Sequence, residues 1–251
     1  MDMKVEIRWV KETDSTQDEL RRRISGCDNM SVIAAEFQTA GRGQRGNSWH
    51  ALKGENLTFS MLLRFGEGGF PPLNARGQFV VTKAATLGVV HYLNKKNIGC
   101  SIKWPNDIYV RDKKICGMLI ESVLDGENLA YSIVGIGVNV NQRDFPTQIV
   151  NPVSMTLLTG ETYNLEDEME ILASSLADSF TTVLSGKPDA ADEEYERLLY
   201  RKGSFYEYTR CPEGETFEGR IIGTTEDGLL LLEDKKGELN KFAFKEISYI
   251  I

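Results

Sequence analysis

The sequence predicts an α+β fold in which a mixed or antiparallel β-sheet, flanked by helices, is followed by a small β-barrel. Residues 101–141 contain strand-like runs joined by short polar turns, which is typical of a meander and not of β-α-β units. From about residue 204 the chain changes to short apolar runs separated by charged, Gly-containing turns, as in small barrels. A chain of 251 residues suits one large and one small domain. We predict that these comprise residues 1–203 and 204–251.

The N-terminal part of the chain predicts one helix and two strands. A helix is expected over residues 14–24, with Thr16 as its N-cap and Glu19 as the partner in a capping box. Residues 32–39 and 57–65 are rich in apolar side chains, as strands with covered faces would be. A loop rich in glycine and proline follows the second strand.

The middle of the chain predicts a helix and then the meander. Apolar residues recur every three or four positions over residues 77–96, which indicates a helix. Residues 107–124 are divided by a charged turn at 111–113 into the two strands of a hairpin. A second turn at 125–128 leads to a third strand over 129–141.

Two further helices and the barrel complete the predicted fold. Asn164 caps a helix over residues 164–186, whose first turn is acidic, and Gly186 with Pro188 ends it. A second helix is expected over 189–203. The short strands that follow would form the barrel.

Composition and charge argue against several classes of protein. The chain carries 29 Lys and Arg against 37 Asp and Glu, a net charge of −8, which is a poor match for binding nucleic-acid phosphates as a main task. Its four cysteines form no Cys-x-x-Cys pair, so zinc and thioredoxin-type sites lack support and a reducing cytoplasm is expected. The charged N-terminus lacks the apolar core of a signal peptide, and no apolar run approaches the roughly 20 residues of a membrane span.

Three common catalytic patterns are missing from the sequence. No Gly-Lys-Ser/Thr follows the glycines of residues 41–46, so these do not form a Walker A loop. Residues 135–140 begin like a dinucleotide fingerprint, but Val140 stands where the third glycine belongs. Neither His50 nor His91 lies beside a nucleophile motif, so covalent nucleophilic catalysis is not expected. We expect His91 to be packed or half-exposed.

The stretch TAGRGQRGNSW, residues 39–49, is named the arginine loop. Its glycines let backbone amides approach a phosphate closely, and the guanidinium groups of Arg42 and Arg45 can fork onto phosphate oxygens. Trp49 at the end of the loop could cover a flat ligand such as an adenine. A glycine-rich surface hairpin with solvated arginines would explain the same residues.

Two motifs with charged residues follow in the meander. In residues 103–107 (Lys-Trp-Pro-Asn-Asp), Asn106 and Asp107 sit at the entrance to a strand, where the carboxylate can accept from an amine or hold magnesium. An ordinary turn before a hairpin is an equal alternative. Lys114, followed by Gly117, suggests a point charge beside a place where a ligand presses on backbone. A polar hairpin turn is the alternative there.

Alternating glycines mark the last strand of the meander. Gly135 and Gly137 leave one face of the strand bare, so that a flat ligand or another chain could lie on it. Asn139 ends the strand with an amide able to read a nucleotide. A tight crossing of strands in the core is the alternative, and the apolar residues between the glycines also permit it.

Taken together and in this order, these motifs resemble those of the biotin protein ligases. Each motif alone is weak, but the ordinary explanations would have to coincide at four places. The resemblance covers essentially the whole chain. The matching residues are Ser15, Thr16, Gln38, Gly41, Arg42, Gly43, Gly46, Trp49, Lys103, Trp104, Pro105, Asn106, Asp107, Lys114, Gly117, Gly135, Gly137 and Asn139.

The resemblance implies a class II synthetase-like biotin/lipoate ligase fold with a C-terminal barrel of the Src-homology-3 (SH3) type. It also implies an ATP-dependent ligase that makes biotinyl-5′-AMP and pyrophosphate from biotin and ATP. A lysine amine of a biotin carboxyl carrier protein domain would then take the biotinyl group and release AMP. Mg²⁺ would travel with ATP, so no metal site of the protein's own is expected.

The resemblance also implies a role for individual residues. Biotin would be bound by Ser15, Thr16, Gln17, Gln38, Arg42, Gly43, Gln44, Lys114, Gly117 and Gly135. ATP and the adenylate would be held by Arg45, Asn47, Trp49, Asn106 and Asn139. Lys114 and Arg42 would stabilise negative charge during catalysis, and we hypothesise that Asp107 orients or deprotonates the acceptor lysine. The arginine loop would be a lid, ordered only when ligand is bound.

Two residues depart from the pattern of the family. Many relatives have arginine at position 44, so Gln44 removes one cation from the lid. Many also have asparagine at position 17, and Gln17 is longer by one methylene. The first change bears on retention of the intermediate, and the second bears on contact with biotin.

Other properties of the family remain open for this chain. Some relatives carry an N-terminal winged-helix domain and act as repressors, whereas this chain begins almost directly at Thr13, so we expect no repressor function and no DNA binding. Relatives often form homodimers by joining sheets edge to edge. A lipoate or octanoate ligase or transferase shares the fold, but the arginine loop with Trp49 and the barrel favour biotin. A sensor without turnover is the other alternative, and retention of Arg42 and Lys114 argues against it.

Overall fold

A seven-stranded sheet forms the centre of the larger part of the protein. The computed structural model describes residues 5–186 and 188–251, apart from the side chains of Arg45 and Pro188. The strand order is β1-β2-β3-β7-β6-β5-β4, and every pair is antiparallel except β1 with β2. The predicted mixed sheet with a meander is therefore confirmed, although its strands β1 and β4 were not predicted from the sequence. The strands are β1 (Ile7–Val10), β2 (Val32–Ala35), β3 (Leu57–Arg64), β4 (Ser101–Lys103), β5 (Asp107–Val110), β6 (Lys113–Asp125) and β7 (Asn128–Val138).

Helices cover both faces of this sheet because alternate strand residues point to opposite sides. Val32 and Ala34 belong to the main core, whereas Ile33 packs in a smaller cluster with Leu20 of the first helix and Leu62. The main core is completed by the second and fourth helices. The helices are α1 (Thr16–Arg23), α2 (Phe79–Lys95), α3 (Met155–Thr159), α4 (Leu165–Ser185) and α5 (Pro188–Arg197).

The start of α1 differs from the prediction. Ser15 and not Thr16 is the N-cap residue, and no side chain caps the helix. The Thr16 hydroxyl instead shares a hydrogen bond of 2.9 Å with the Ser60 hydroxyl on β3, and Glu19 pairs with Arg22. The predicted capping box is wrong because Thr16 is buried against the sheet, where a tertiary hydrogen bond replaces the local one.

The later helices follow the prediction except at their ends. Asn164 caps α4 and accepts from the backbone amides of Glu166 and Asp167. Pro188 begins α5, as expected for a residue without an amide proton. The predicted helix 189–203 ends early at Arg197, because Ile102 of β4 then pairs with the following backbone. The short helix α3 was not predicted. None of the described helices is both long enough and apolar enough to cross a bilayer.

A second sheet follows after residue 204, as predicted. It has five antiparallel strands in the order β11-β10-β9-β8-β12, consistent with an SH3-like domain. The strand β8 was not predicted, because only Tyr208 of its residues is buried and its apolar pattern is weak. The strands are β8 (Phe205–Arg210), β9 (Thr216–Thr224), β10 (Leu230–Asp234), β11 (Leu239–Phe242) and β12 (Ile247–Tyr249). The domain boundary at 203/204 stays a prediction.

The loop before β5 joins the two sheets. The Trp104 indole donates to the Gly228 carbonyl at 3.0 Å, and the Tyr195 hydroxyl donates to the Pro105 carbonyl at 2.9 Å. Lys103 lies over the ring of Tyr249, with its ammonium 4.8 Å from the ring centre. Residues 103–105 are therefore held both by helix α5 and by the second sheet with its turns.

Candidate active site

A cavity of about 400 Å³ lies between the larger sheet, the arginine loop and the second sheet. Most of the residues predicted from the sequence line it, although they come from widely separated parts of the chain. They are Ser15, Thr16, Gln17, Gln38, Arg42, Gly43, Gln44, Asn47, Trp49, Asn106, Asp107, Lys114, Gly117 and Gly135. Asn139 lines a neighbouring cavity instead. The side chain of Arg45 lies outside the described part of the structure.

Two side chains of the protein cover the bare face of β7. A Cβ atom at Gly137 would lie 2.2 Å from Cε2 of Trp49, and one at Gly135 would lie 3.1 Å from Cδ of Gln17. Both glycines are therefore required by close approach of a side chain. The structure places Trp49 where the sequence suggested a flat ligand.

Trp49 stands between the main cavity and a second cavity of about 120 Å³. The second cavity is largely apolar and is lined by Ser48, Trp49, His50, Lys114, Asn139, Phe145, Ile149, Val150 and Pro152. The Trp49 indole N–H is buried and has no hydrogen-bond partner among the described residues. A flat heteroaromatic group would suit this cavity.

The apolar wall of the second cavity was missed in the sequence. Phe145, Ile149 and Val150 lie in a loop whose prolines and polar residues mask its role. Val150 lines this cavity although its side chain is 77% exposed. That exposure could not be read from the sequence alone.

Lys114 and Asp107 form an ion pair at the wall of the main cavity. The Lys114 ammonium lies 2.7 Å from a carboxylate oxygen of Asp107 and 5.8 Å from the ring centre of Trp49. A bulge in the β5–β6 pairing brings the two charged residues together. The backbone of Lys114 is bonded on both sides to the segment that contains Asn151 and Val153. The pair is thus held rigidly beside both cavities.

Lys103 supplies a second cation to the same wall. Its ammonium lies over the rings of Tyr109 and Tyr249, at 5.2 and 4.8 Å from their centres. Burial lowers the pKa of Lys103, the nearby Asp107 carboxylate raises it, and the Lys114 ammonium lowers it further. In the sequence Lys103 was singled out only as part of the motif at residues 103–107, and the structure shows that it also lines the main cavity.

The end of the main cavity near α1 is polar and buried. The Gln38 side-chain carbonyl accepts from the Thr16 amide at 2.8 Å. The Gln17 amide group donates to Glu121 at 3.1 Å and to the Leu119 carbonyl at 3.3 Å. The Gln17 carbonyl oxygen is buried and has no partner among the described residues. This end can therefore accept a hydrogen bond from a ligand N–H group.

The two predicted asparagines are buried and bonded to backbone. The Asn106 amide group donates to the Met118 carbonyl, and the Asn139 amide group donates to the Val153 carbonyl at 3.1 Å. Both side chains brace the loops that border the cavities. Their contact with a nucleotide stays a prediction.

The guanidinium group of Arg42 is held by carboxylates. It lies 3.0 Å from an oxygen of Asp18 and 2.7 Å from an oxygen of Glu121. The arginine loop is closed by backbone bonds from Gly43 to Asn47 and from Trp49 to Gly41, of 2.7 and 2.9 Å. The loop therefore covers the cavity with its backbone, while the Arg42 charge is engaged elsewhere.

Comparison with known proteins decides the family. The biotin/lipoate A/B protein ligase family matches residues 9–139. The chain belongs to this family. The match contains every residue predicted for the site, from Ser15 to Asn139. The wall formed by the second sheet, with Phe244, Lys245 and Ser248, lies beyond the matched residues.

Several biotin protein ligases are similar to this member of the family. It is 30% identical over 169 residues to the biotin–[acetyl-CoA-carboxylase] ligase of Paracoccus denitrificans, and this match covers 66% of the chain and 69% of that relative. It is 34% identical over 144 residues to the bifunctional ligase/repressor BirA of Escherichia coli, and this match spans 57% of the chain but only 43% of that relative. The biotin protein ligase of Aquifex aeolicus in complex with biotin and ATP has a similar fold, with a TM-score of 0.77, 26% identity and 97% of both chains covered.

Proposed function

We propose that the protein is an ATP-dependent biotin–protein ligase. Biotin's carboxylate attacks the α-phosphorus of ATP, which forms biotinyl-5′-AMP and expels pyrophosphate. A lysine amine of a biotin carboxyl carrier protein domain then attacks the biotinyl carbonyl and releases AMP. The observation that carries the proposal is the convergence of the four separate motifs on one cavity, around the Lys114–Asp107 pair.

The polar end of the cavity suits the ureido ring of biotin. Ser15, Thr16, Gln17 and Gln38 surround it, and the unpartnered Gln17 oxygen can accept a ureido N–H. Gly117 and Gly135 line the same cavity, where Lys114 and Trp49 pack close to the first and Gln17 packs close to the second. The biotin carboxylate would then point toward Lys114, with the backbone of Gly43 and Gln44 above it.

The second cavity suits the adenine. Its apolar lining and the face of Trp49 favour a flat base, and Asn139 lies in its wall. We also assign Asn47 and Asn106, which line the main cavity, to the nucleotide, with Arg45 by resemblance. Trp49 would then separate the adenine from biotin, with the α-phosphate near Lys114. In this arrangement the two reacting groups would lie beside the Lys114 ammonium.

Positive charge is the chemical requirement of the first step, because a carboxylate and a phosphate repel each other. Lys114 would offset the charge that builds up on the phosphate oxygens. Asp107 is the one carboxylate among the described residues that line the main cavity, and it is already paired with Lys114. No group of acidic, His or Cys residues suited to a metal occurs among the described residues. By the resemblance, Mg²⁺ would enter with ATP and neutralise the departing pyrophosphate.

The acceptor step should depend on Asp107. Its carboxylate can exchange Lys114 for the incoming lysine ammonium, orient it and accept a proton. We expect Asp107→Ala to slow transfer from preformed biotinyl-5′-AMP by roughly 100-fold, with a smaller effect on biotin binding. Single-turnover transfer to a carrier domain measures this, and Asp125→Ala in the exposed β6–β7 turn is the control. Equal transfer by Asp107→Ala and the unchanged protein would remove Asp107 from this role.

The decisive test is ATP-dependent transfer to a recombinant carrier domain, with biotin, lipoate and octanoate in parallel. We expect transfer of biotin alone. Transfer of lipoate or octanoate instead would keep the fold but overturn the assignment of the polar end. Binding of biotin without biotin-dependent exchange between ATP and pyrophosphate would identify a sensor and overturn the ligase.

We also propose that the protein acts in the cytoplasm and does not bind operator DNA. The net charge of −8 is unfavourable for binding the negatively charged phosphates of a DNA duplex. The similar Escherichia coli protein, by contrast, is a bifunctional ligase/repressor. A gel-shift experiment with a biotin-operon operator at physiological salt tests this, and tight binding would contradict it. A homodimer, expected from the resemblance, can be tested by sedimentation.

A further inference from the structure

Four charged side chains fasten the middle of the arginine loop to the rest of the protein. Arg42 contacts Asp18 at 3.0 Å and Glu121 at 2.7 Å, and Arg21 contacts the same carboxylates at 2.6 and 2.9 Å. We name this cluster of Asp18, Arg21, Arg42 and Glu121 the arginine latch. It joins three separate elements: the loop, α1 and β6.

The geometry of the arginine latch makes it stronger than a single surface pair. Each carboxylate is shared by two guanidinium groups, and each guanidinium uses two nitrogens, which fixes direction as well as distance. The four side chains are 31 to 42% exposed, so solvent and salt screen every pair. The cluster should therefore hold the loop reversibly and respond to ionic strength.

The arginine latch also connects the loop to the cavity. Glu121 accepts from the amide group of Gln17 at 3.1 Å, and Gln17 lines the polar end of the cavity. Every contact is made within the chain and needs no ligand. Both terminal nitrogens of the Arg42 guanidinium, Nη1 and Nη2, contact these carboxylates.

We propose that Asp18 and Glu121 are positioning residues, which hold the arginine loop over the cavity through Arg42 before a ligand arrives. Arg42 then acts mainly as the anchor of the loop, and the loop presents its backbone to the ligand. The nature of that ligand rests on the proposed function, but the arginine latch itself does not.

Trypsin provides a test that is independent of activity, because it must draw the Arg42 side chain into its own pocket to cleave after it. Release of Arg42 from the arginine latch should limit the rate. We expect Asp18→Asn and Glu121→Gln to speed cleavage after Arg42 by about fivefold, in proportion to the loss of one weak ion pair. Glu233→Gln is the matched control, since it removes an Arg–Glu pair from the second sheet.

The effect of salt on the rate of this cleavage is a second test, and it can be measured on the unchanged protein. In the unchanged protein, 1 M NaCl should speed cleavage after Arg42 relative to cleavage at other sites, and Asp18→Asn should lose most of this response. Equal cleavage of all variants, or a salt response that Asp18→Asn keeps in full, would overturn the proposal and favour a loop ordered only by ligand.

Kinetics test the consequence for the ligand. We expect the KM for biotin to rise about fivefold in Asp18→Asn, with kcat changed less than twofold, because a displaced loop weakens binding in the ground and transition states alike. An unchanged KM beside faster cleavage would overturn the positioning role. Failure of the unchanged protein to transfer biotin, with the trypsin result as expected, would overturn the proposed function and leave the arginine latch in place.

Discussion

At the scale of single residues, contact between Trp49 and Gly137 is the tightest constraint in the site. The indole lies where a Cβ atom of residue 137 would stand, at 2.2 to 2.6 Å from three of its atoms. Since the neighbouring strands fix the backbone of β7 on both sides, the side chain of Trp49 must yield to any larger residue. The indole of Trp49 can therefore occupy this position only because residue 137 has no Cβ atom.

We expect Gly137→Ala to expel the Trp49 indole from the sheet. Tryptophan fluorescence should shift to longer wavelength and become more accessible to acrylamide, and the step that uses ATP should slow by at least about tenfold, since loss of positioning has effects of this size. Stability should change by less than about 1 kcal/mol, because alanine is better tolerated than glycine within a strand.

Gly99→Ala is the control for this substitution, because an added Cβ there would meet no atom within 4 Å. It should leave fluorescence and activity as they are. Unchanged fluorescence in Gly137→Ala would show that the indole does not lie on β7.

Most residues singled out by the sequence motifs line one cavity, but the contacts between them were not predicted. Lys114 and Asp107 were both predicted, but their ion pair depends on a bulge that neither motif encodes. Arg42 was assigned to a phosphate, and its carboxylate partners are 24 and 79 residues away in the chain. A motif reports which chemistry is present, whereas partners of this kind follow from the tertiary fold.

At the scale of elements, the packing of α2 on α4 depends on Gly88. The Ser175 hydroxyl donates to the Gly88 carbonyl at 2.9 Å, and the Ser179 hydroxyl donates to the Ala84 carbonyl at 2.7 Å. A Cβ atom at Gly88 would lie 2.8 Å from Cδ2 of Leu176 and 3.0 Å from its Cα. The two helices are in direct contact there, with no room for a side chain.

Gly88→Ala should therefore push α2 and α4 apart. We expect a loss of about 1–3 kcal/mol in the free energy of unfolding, the usual cost of overpacking, despite the higher helix propensity of alanine. Urea unfolding measures it, and Asn94→Ala at an exposed position of α2 is the control. A gain in stability for Gly88→Ala would contradict the contact.

Elements with a strong local pattern were predicted, and those without one were not. The helix α4 carries its own cap and acidic first turn, and the strands of the meander are separated by turns. By contrast, α3 has five residues and β8 is mostly exposed, so neither has a clear periodicity. The end of α5 was misplaced because pairing with β4 is a long-range effect.

At the scale of the whole molecule, a cluster of tyrosine rings lies where the two sheets meet. The ring centres of Tyr109 and Tyr200 are 5.4 Å apart, those of Tyr200 and Tyr249 are 6.1 Å apart, and those of Tyr208 and Tyr249 are 5.2 Å apart. Burial raises the pKa of Tyr200 to about 12 and raises the pKa of Tyr109, Tyr208 and Tyr249 above the ordinary value of 10.0. The junction therefore requires neutral phenols.

The sign of the pH dependence follows from these raised pKa values. In the unfolded chain the tyrosines lose their protons near pH 10, whereas the folded chain retains them. The contribution of these tyrosines to the free energy of unfolding should be fully present below pH 10. Above pH 10 the free energy of unfolding should fall, by up to about 1.4 kcal/mol per pH unit for each such tyrosine. Circular dichroism and tyrosinate absorbance, followed from pH 9 to 12, should change together.

Tyr208→Phe and Tyr249→Phe sharpen this prediction. Both hydroxyls are buried without a hydrogen-bond partner among the described residues, so their removal should not weaken the fold and should raise the midpoint of alkaline unfolding. Tyrosinate absorbance that appears well before the loss of structure would contradict buried, neutral phenols at the junction.

The main cavity has walls from both sheets, with Gly135 on one side and Ser248 on the other. A ligand that fills it touches both and acts as a reversible cross-link between two parts of the chain. At a concentration 100 times its dissociation constant, a ligand adds about 2.7 kcal/mol to the stability of the state that binds it. If the second sheet detaches first on heating, saturating ligand should delay that step most and merge two melting transitions into one.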